Sequence, residues 1–231
     1  MQAQTLEVMK INYNGASQDI YMTSKDFSSA TFYTREVSIN GNNSMFMQEN
    51  LPSAKIEDYQ RDLRGARVEY KVDVSKVDSG CIAGVYLVET NDGYCSNKTR
   101  EPGQTAQCSS IDVMQANKFG FESKAHPCTN GTCDAVSRCS ASMHDQGKQD
   151  YGADAYGPGG SIINTDESFE VANEFVYTPD LSQFWKMTTT LTQAGRTIRM
   201  EADCRDYLKG LNEPLNSDMS FVLSSWDNRD G

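Results

Sequence analysis

Apolar and polar residues alternate with a period of two along much of the chain, a pattern typical of half-buried β-strands. The clearest example covers residues 67–74, where every even-numbered position is apolar or aromatic and every odd-numbered position is charged. A short apolar run over residues 82–88 predicts a central strand. The same reasoning predicts further strands at residues 111–114, 169–177, 183–191, 196–201 and 219–225.

Turn signals separate these strands, and helix signals are nearly absent. Gln193-Ala194-Gly195 lies between two predicted strands and predicts a hairpin. Residues 203–211 form the one candidate helix, and the first 60 residues show only strand-like fragments at 20–22 and 30–33. We therefore predict a single all-β domain over residues 1–231, built as a two-sheet antiparallel β-sandwich.

The length of 231 residues suits one large β domain, and the net charge of −11 limits the partners. A nucleic-acid partner is not expected, because binding phosphates needs a basic face. No membrane span is expected, because the chain has no run of 18 apolar residues. The first residues also lack the basic and apolar regions of a secretion signal, so we expect either a removed signal or a chain fragment.

The chain has seven cysteines, and their spacing favours disulfide bonds over a metal site. No C-x-x-C pair occurs, the spacing of Cys128, Cys133 and Cys139 does not match a zinc site, and only two histidines are present. We therefore expect no metal, no cofactor and an oxidising compartment, either secreted or lumenal. Three N-glycosylation sequons agree with this localisation, and they begin at Asn42, Asn97 and Asn130.

The segment from Cys108 to Asn117 reads C-S-S-I-D-V-M-Q-A-N, and residues 126–129 read H-P-C-T. This combination resembles the catalytic strand of family 7 glycoside hydrolases, the fungal and protist cellulases, which reads C-S-E-M-D-I-W-E-A-N and is followed by H-P-C-T. The resemblance places Ser110 at the position of the family's nucleophile and Gln115 at the position of its acid/base, where the family has glutamates. Asp112 is the one carboxylate of the pattern that is retained, and in the family it supports the nucleophile.

These two replacements bear directly on catalysis. Retaining glycosidases need two carboxyl groups about 5–5.5 Å apart. Glutamine carries no titratable proton, and the motif offers no adjacent base that would activate the hydroxyl of Ser110. Ser110 and Asp112 share one face of an extended strand, whereas Gln115 needs a local irregularity to join them.

Further blocks extend the resemblance over residues 63–227, in the family's order. Residues 71–77 and 81–88 read K-V-D-V-S-K-V and C-I-A-G-V-Y-L-V, where the family has F-D-V-D-V-S-x-L and C-G-L-N-G-A-L-Y-F-V. G-Y-C at 93–95, Y-G-P-G at 156–159 and F-V-L-S-S-W-D at 221–227 also match. The resemblance implies a jelly-roll, concanavalin-like sandwich. Because the family's tunnel-forming insertions are largely missing, it also implies an open groove.

The resemblance further implies a set of disulfides. Cys95 would pair with Cys108, Cys128 with Cys133, and Cys139 with Cys204. Cys81 would be left unpaired, because its family partner follows the W-D block in a C-terminal segment that this chain lacks. We therefore expect the last family strands to be missing and a protein partner to cover the sheet edge near Cys81.

The resemblance also names residues that would contact a sugar in the groove. Trp226 matches a sugar-stacking tryptophan, although a tryptophan near a strand end also packs readily in a core. His126 matches a histidine on the leaving-group side, and its alternative role is to anchor the following loop. Tyr86 and Asp112 are the other candidate contacts, whereas Met114 replaces a family tryptophan and removes one aromatic surface.

Three functions are compatible with these residues. The first is a catalytically degenerate cellulase-family domain that binds β-glucan or serves as a structural subunit of an extracellular or lumenal assembly. The second is a divergent β-1,4-glucan hydrolase that uses Asp112 with an acid that the sequence does not identify. The third is a scaffold protein with no ligand. The replaced glutamates favour a protein without enzymatic activity, and therefore the first function.

Overall fold

The computed structural model describes residues 6–13, 16–24, 30–33, 36–39, 43–48, 62–89, 108–129, 132–133, 137–142, 151–152, 154–217 and 219–227. Before residue 62 the description is limited to strands and their pairing. In chain order the strands are β1 Leu6–Tyr13, β2 Ala16–Ser24, β3 Ala30–Tyr33, β4 Glu36–Ile39, β5 Asn43–Gln48, β6 Arg67–Val72, β7 Cys81–Glu89, β8 Ser110–Ala116, β9 Phe121–His126, β10 Cys128–Thr129, β11 Thr132–Cys133, β12 Cys139–Ser142, β13 Tyr156–Gly157, β14 Ile163–Asn164, β15 Phe169–Tyr177, β16 Phe184–Gln193, β17 Arg196–Ala202 and β18 Met219–Asp227.

Two antiparallel sheets form the body of the protein. The larger sheet has eight strands in the order β1-β2-β5-β18-β7-β8-β9-β12, and the smaller has four in the order β17-β16-β15-β6. Three further strand pairs, β3-β4, β10-β11 and β13-β14, lie outside them. Helices are short: α1 spans Arg205–Leu208, a 3-10 turn spans Lys209–Leu211, and α2 spans Pro214–Ser217.

The core lies between the two sheets, because both contribute their apolar faces to one continuous cluster. The smaller sheet supplies the aromatic centre, in which the ring of Phe184 stacks on Tyr177 and packs at a tilt against Phe175. The larger sheet supplies Leu87 and Ile111, which have no exposed surface. The prediction of an all-β, two-sheet antiparallel sandwich is therefore confirmed.

Most predicted strands lie where the alternation placed them. The pattern at residues 67–74 forms β6, an outer strand of the smaller sheet, and the apolar run at 82–88 forms β7 inside the larger sheet. The predicted hairpin joins β16 to β17, with Gln193 paired to Arg196 and Gly195 at a φ of 77°. The weak helix signal at 203–211 corresponds to α1 and the 3-10 turn.

The position of Cys81 differs from the expectation that it lies near a sheet edge. Cys81 begins β7, which is paired on both sides, to β18 and to β8. The outermost described strands of the larger sheet are β1 and β12 instead. Cys81 therefore begins an interior strand, because lateral order in a sheet depends on long-range pairing that the cysteine pattern does not encode. The partner itself stays a prediction.

Two of the predicted disulfides, Cys128–Cys133 and Cys139–Cys204, are present. Cys108 also forms a disulfide, and its predicted partner Cys95 lies outside the described residues. Cys81 has a free thiol, as expected.

The sequons at Asn42, Asn97 and Asn130 also lie outside the described residues. Within the described part of the chain, no helix has the length and apolar character needed to cross a membrane.

Candidate functional site

A β-bulge in β8 brings the candidate catalytic positions onto one face. On the β7 side, Tyr86 pairs with Asp112 and Val85 with Met114, so Val113 is passed over. On the β9 side, the register shifts between Asp112 and Gln115. Two intervening residues of β8 therefore oppose a single residue of β9. This bulge is the local irregularity that the spacing of Asp112 and Gln115 requires, and that expectation is confirmed.

The bulge divides β8 into two sets of side chains. Ile111, Val113, Met114 and Ala116 join the core cluster. Ser110, Asp112 and Gln115 lie on the opposite side, which we call the site face. Across β7, β8 and β9 the site face consists of three rows, namely Val88, Ser110 and His126; Tyr86, Asp112 and Lys124; and Gly84, Gln115 and Glu122.

Asp112 is buried and hydrogen-bonded. Gln115 Nε2 donates to Asp112 Oδ2 over 2.7 Å, and His126 Nε2 lies 3.2 Å from the same oxygen. The exposed fractions of the Asp112 and His126 side chains are 1% and 2%. A carboxylate only accepts hydrogen bonds, so with Asp112 in that form Nε2 of His126 is the donor. This arrangement makes Asp112 an anchor for its two neighbours.

Ser110 lies beside a base that its own motif does not contain. Strand pairing sets Ser110 directly opposite His126, although 16 positions separate them in the sequence. Side chains at such paired positions have Cβ atoms about 4.5–5.5 Å apart. Both residues are buried, with exposed fractions of 3% and 2%. His126 thus lies within the site itself.

Tyr86 lies in the middle row, next to Asp112, and its exposed fraction is 6%. Its ring extends over Gly84, since a Cβ built on that glycine would lie 2.0 Å from the Tyr86 hydroxyl oxygen. Tyr86 and Val222 form a small apolar cluster on the site face, separate from the main core. Glycine at position 84 therefore leaves the space in which the tyrosine ring packs.

Replacing Gly84 with alanine should displace this ring. Because the ring is buried, we expect the free energy of unfolding to fall by about 1–3 kcal/mol, as is usual for overpacking. Gly120→Ala is the matched control, since a Cβ there would meet nothing within 4 Å, and its expected effect is within about 0.5 kcal/mol. Urea denaturation measures both values. Equal stability of the two variants would contradict the packing of Tyr86 over Gly84.

The backbone of Trp226 belongs to β18 and pairs with Ile82 of β7. The strand alternation that places Val222 and Ser224 opposite Tyr86 and Gly84 also assigns position 226 to the site face. The side chain of Trp226 lies outside the described residues, so its sugar-stacking role stays a prediction.

Two charged residues of the site face were not predicted from the sequence. Glu122 pairs across the strands with Gln115, and Lys124 pairs with Asp112. They form an ion pair, with Lys124 Nζ 2.7 Å from Glu122 Oε2. The alternation of residues 121–126 was the available signal, since Phe121, Ser123 and Ala125 face the core while the charged residues face outward.

Comparisons with solved structures identify the fold. The native Humicola insolens endocellulase EGI superposes with a TM-score of 0.74 at 13% identity, over 100% of this chain and 86% of that chain. A GH7 family cellobiohydrolase from Daphnia pulex gives 0.72 at 16% identity, over 100% and 85%. The Melanocarpus albomyces cellobiohydrolase complexed with cellotetraose gives 0.60 at 18% identity, over 96% and 67%.

These similarities define a β-sandwich with the fold of the family 7 cellulases. At such identities they establish the fold and leave the activity to be argued from the site. No protein-family model matches the chain, and no curated protein matches it.

Proposed function

We propose that this protein is a catalytically degenerate domain with a cellulase fold, which binds β-glucan in an open groove as a binding or structural subunit of an extracellular or lumenal assembly. The observation that carries the proposal is the state of the site face. Ser110 and Gln115 occupy the two positions at which the resemblance expects glutamates. The remaining carboxylate, Asp112, is buried and bonded to Gln115 and His126. Neither of the two positions at which the resemblance expects the carboxyl groups of a retaining mechanism holds one.

The ligand class follows from the fold and from what the site face retains. The Melanocarpus cellobiohydrolase of the same fold is complexed with cellotetraose, which supports a β-1,4-glucan as the ligand. Gln115, Glu122 and Lys124 are partly exposed on the site face and provide hydrogen-bonding groups for sugar hydroxyls. The disulfides are typical of an oxidising compartment, which supports a secreted or lumenal location.

Reducing-sugar release from soluble β-glucan tests the loss of chemistry. We expect no release by the wild type and measurable release by the double variant Ser110→Glu, Gln115→Glu, because it restores two carboxyl groups in a groove that still holds the sugar. The single variants Ser110→Glu and Gln115→Glu are the matched controls, and each should stay inactive. Circular dichroism checks that the glutamate at the buried position 110 leaves the fold intact.

Other outcomes of the same assay would contradict the proposal. Cleavage by the wild type would show that chemistry is retained. A folded double variant without activity, combined with no rise in wild-type melting temperature in millimolar cello-oligosaccharide, would favour the scaffold without a ligand, since a ligand that binds the native state stabilises it.

A second candidate function is a divergent β-1,4-glucan hydrolase, and the position of Glu122 favours it. Under this hypothesis Glu122 would act as the second carboxylate, which the sequence did not identify, because it lies on the same face as Asp112 and next to Gln115. Inverting glycosidases use carboxyl groups about 6.5–9.5 Å apart. In this case the wild type would cleave glucan, and either Asp112→Asn or Glu122→Gln would abolish the activity in a folded protein.

A further inference from the structure

At the β-bulge, two side chains donate hydrogen bonds to one backbone carbonyl of β8. Val113 is passed over in the pairing with β7 and falls within the register shift toward β9. A buried carbonyl needs a hydrogen-bond donor. Ser123 Oγ donates to Val113 O over 2.8 Å, and Asn173 Nδ2 donates to the same oxygen over 3.1 Å.

A third side chain closes these contacts into a ring. Thr189 Oγ1 lies 3.0 Å from Asn173 Nδ2 and 3.1 Å from Ser123 Oγ. One arrangement of protons satisfies every contact: Asn173 donates one amide hydrogen to Val113 O and the other to Thr189, Thr189 donates to Ser123, and Ser123 donates to Val113 O. All three side chains have no exposed surface.

The ring links the two sheets directly beneath the site face. Ser123 belongs to β9 of the larger sheet, whereas Asn173 and Thr189 belong to the paired strands β15 and β16 of the smaller sheet. Closed hydrogen-bond networks in a dry interior hold a single geometry, because any displacement leaves a buried polar group without its partner.

The bulge also decides the direction of Gln115. In a regular strand, residues 112 and 115 would face opposite sides, since side chains alternate with a period of two. The extra residue reverses this relation, and Gln115 reaches Asp112 with a hydrogen bond of 2.7 Å.

We propose that Asn173, Thr189 and Ser123 are positioning residues for the site, and that their ring with Val113 O maintains the bulge that places Gln115 on the site face beside Asp112. The consequence for sugar binding rests on the proposed function. The position of Gln115 itself does not, so the two can be tested separately.

Thr189→Val tests the proposal, because it removes the hydroxyl with almost no change in shape. The neighbouring Thr188→Val is the matched control, since Thr188 Oγ1 is buried without a hydrogen-bond partner among the described residues. The probe is the side-chain amide resonance of Gln115 in a 15N-labelled full-length chain, assigned by its loss in Gln115→Glu. Titration with soluble β-glucan is the second measurement.

We expect Thr189→Val to move the Gln115 resonance toward the position of a solvated amide, to lower the melting temperature by about 5 °C, and to weaken glucan binding by roughly tenfold. Thr188→Val and Thr189→Ser should leave the resonance in place. Should Thr189→Val fail to fold, Ser123→Ala opens the same ring at another member.

A folded Thr189→Val or Ser123→Ala variant with an unmoved Gln115 resonance would overturn the inference. A shifted Gln115 resonance supports the inference even if the wild type binds no glucan. The absence of glucan binding would then contradict only the proposed function.

Discussion

Replacing Asp112 with alanine is expected to lower the free energy of unfolding by about 2–4 kcal/mol, because a buried donor left without its acceptor costs about 1–3 kcal/mol and Asp112 accepts from two donors. Asp112 Oδ2 is the shared acceptor for His126 Nε2 and Gln115 Nε2. The side chain of His126 is only 2% exposed, so water cannot replace the lost oxygen without reorganising the site. Urea denaturation, with the change extrapolated to water, measures the effect.

Asp112→Asn is the matched control, because it keeps an acceptor oxygen in nearly the same place while removing the charge. The expected decrease in the free energy of unfolding is smaller for this variant, about 1–2 kcal/mol. If alanine and asparagine cost the same, or if alanine cost less than about 1 kcal/mol, then Asp112 would not anchor its neighbours and the case for a structural carboxylate would fail.

A structural role for Asp112 agrees with the proposed loss of catalysis, because the carboxylate then serves to hold its two neighbours in place. Gln115 has the shape of the glutamate that the resemblance expects at this position, and it donates a hydrogen bond to Asp112, which a charged glutamate could not do. The amide thus forms a hydrogen bond of 2.7 Å at a place where two carboxylates would repel each other.

Features that depend on neighbours in the sequence could be predicted from it. The strand at 67–74 was recognised because each charged residue alternates with an apolar one, and β6 indeed buries Val68 while Arg67 and Glu69 are exposed. The bulge in β8 was also foreseen, because Asp112 and Gln115 differ by an odd number of positions and still had to share a face.

Features that depend on strand pairing could not be predicted in the same way. His126 beside Ser110, and Lys124 beside Asp112, result from the register between β8 and β9. The sequence names each residue but contains no signal for that register apart from the short alternation at 121–126. The interior position of Cys81 was missed for the same reason. Its strand, β7, pairs with β8, the next described strand in the sequence, and with β18, the last described strand.

The inter-sheet ring was missed for a further physical reason. Asn173 and Thr189 occupy core-facing positions of strands that otherwise supply apolar residues, and a polar residue in such a pattern gives no indication of its partner. The role of these residues becomes visible only when their side chains, Ser123 and the carbonyl of Val113 are seen to form one set of hydrogen bonds.

Removing the Cys139–Cys204 disulfide, as Cys139→Ala with Cys204→Ala, is expected to lower the free energy of unfolding by roughly 4 kcal/mol. The bridge spans 65 positions and joins β12, the outermost described strand beyond β9, to the residue just before α1. Opening so long a loop restores much conformational freedom to the unfolded chain, which is the main source of stabilisation in the loop-entropy description. The melting temperature should fall by about 10 °C.

The Cys128–Cys133 bridge provides the internal control for this prediction. It spans only 5 positions, so the same description assigns it roughly 2 kcal/mol, and Cys128→Ala with Cys133→Ala should cost about half as much. Denaturation of both double variants under non-reducing conditions compares the two bridges. Equal losses would show that loop length does not govern the stability of this sandwich. Local packing around each bridge, such as the burial of Cys139 on the strand paired with β9, would then dominate.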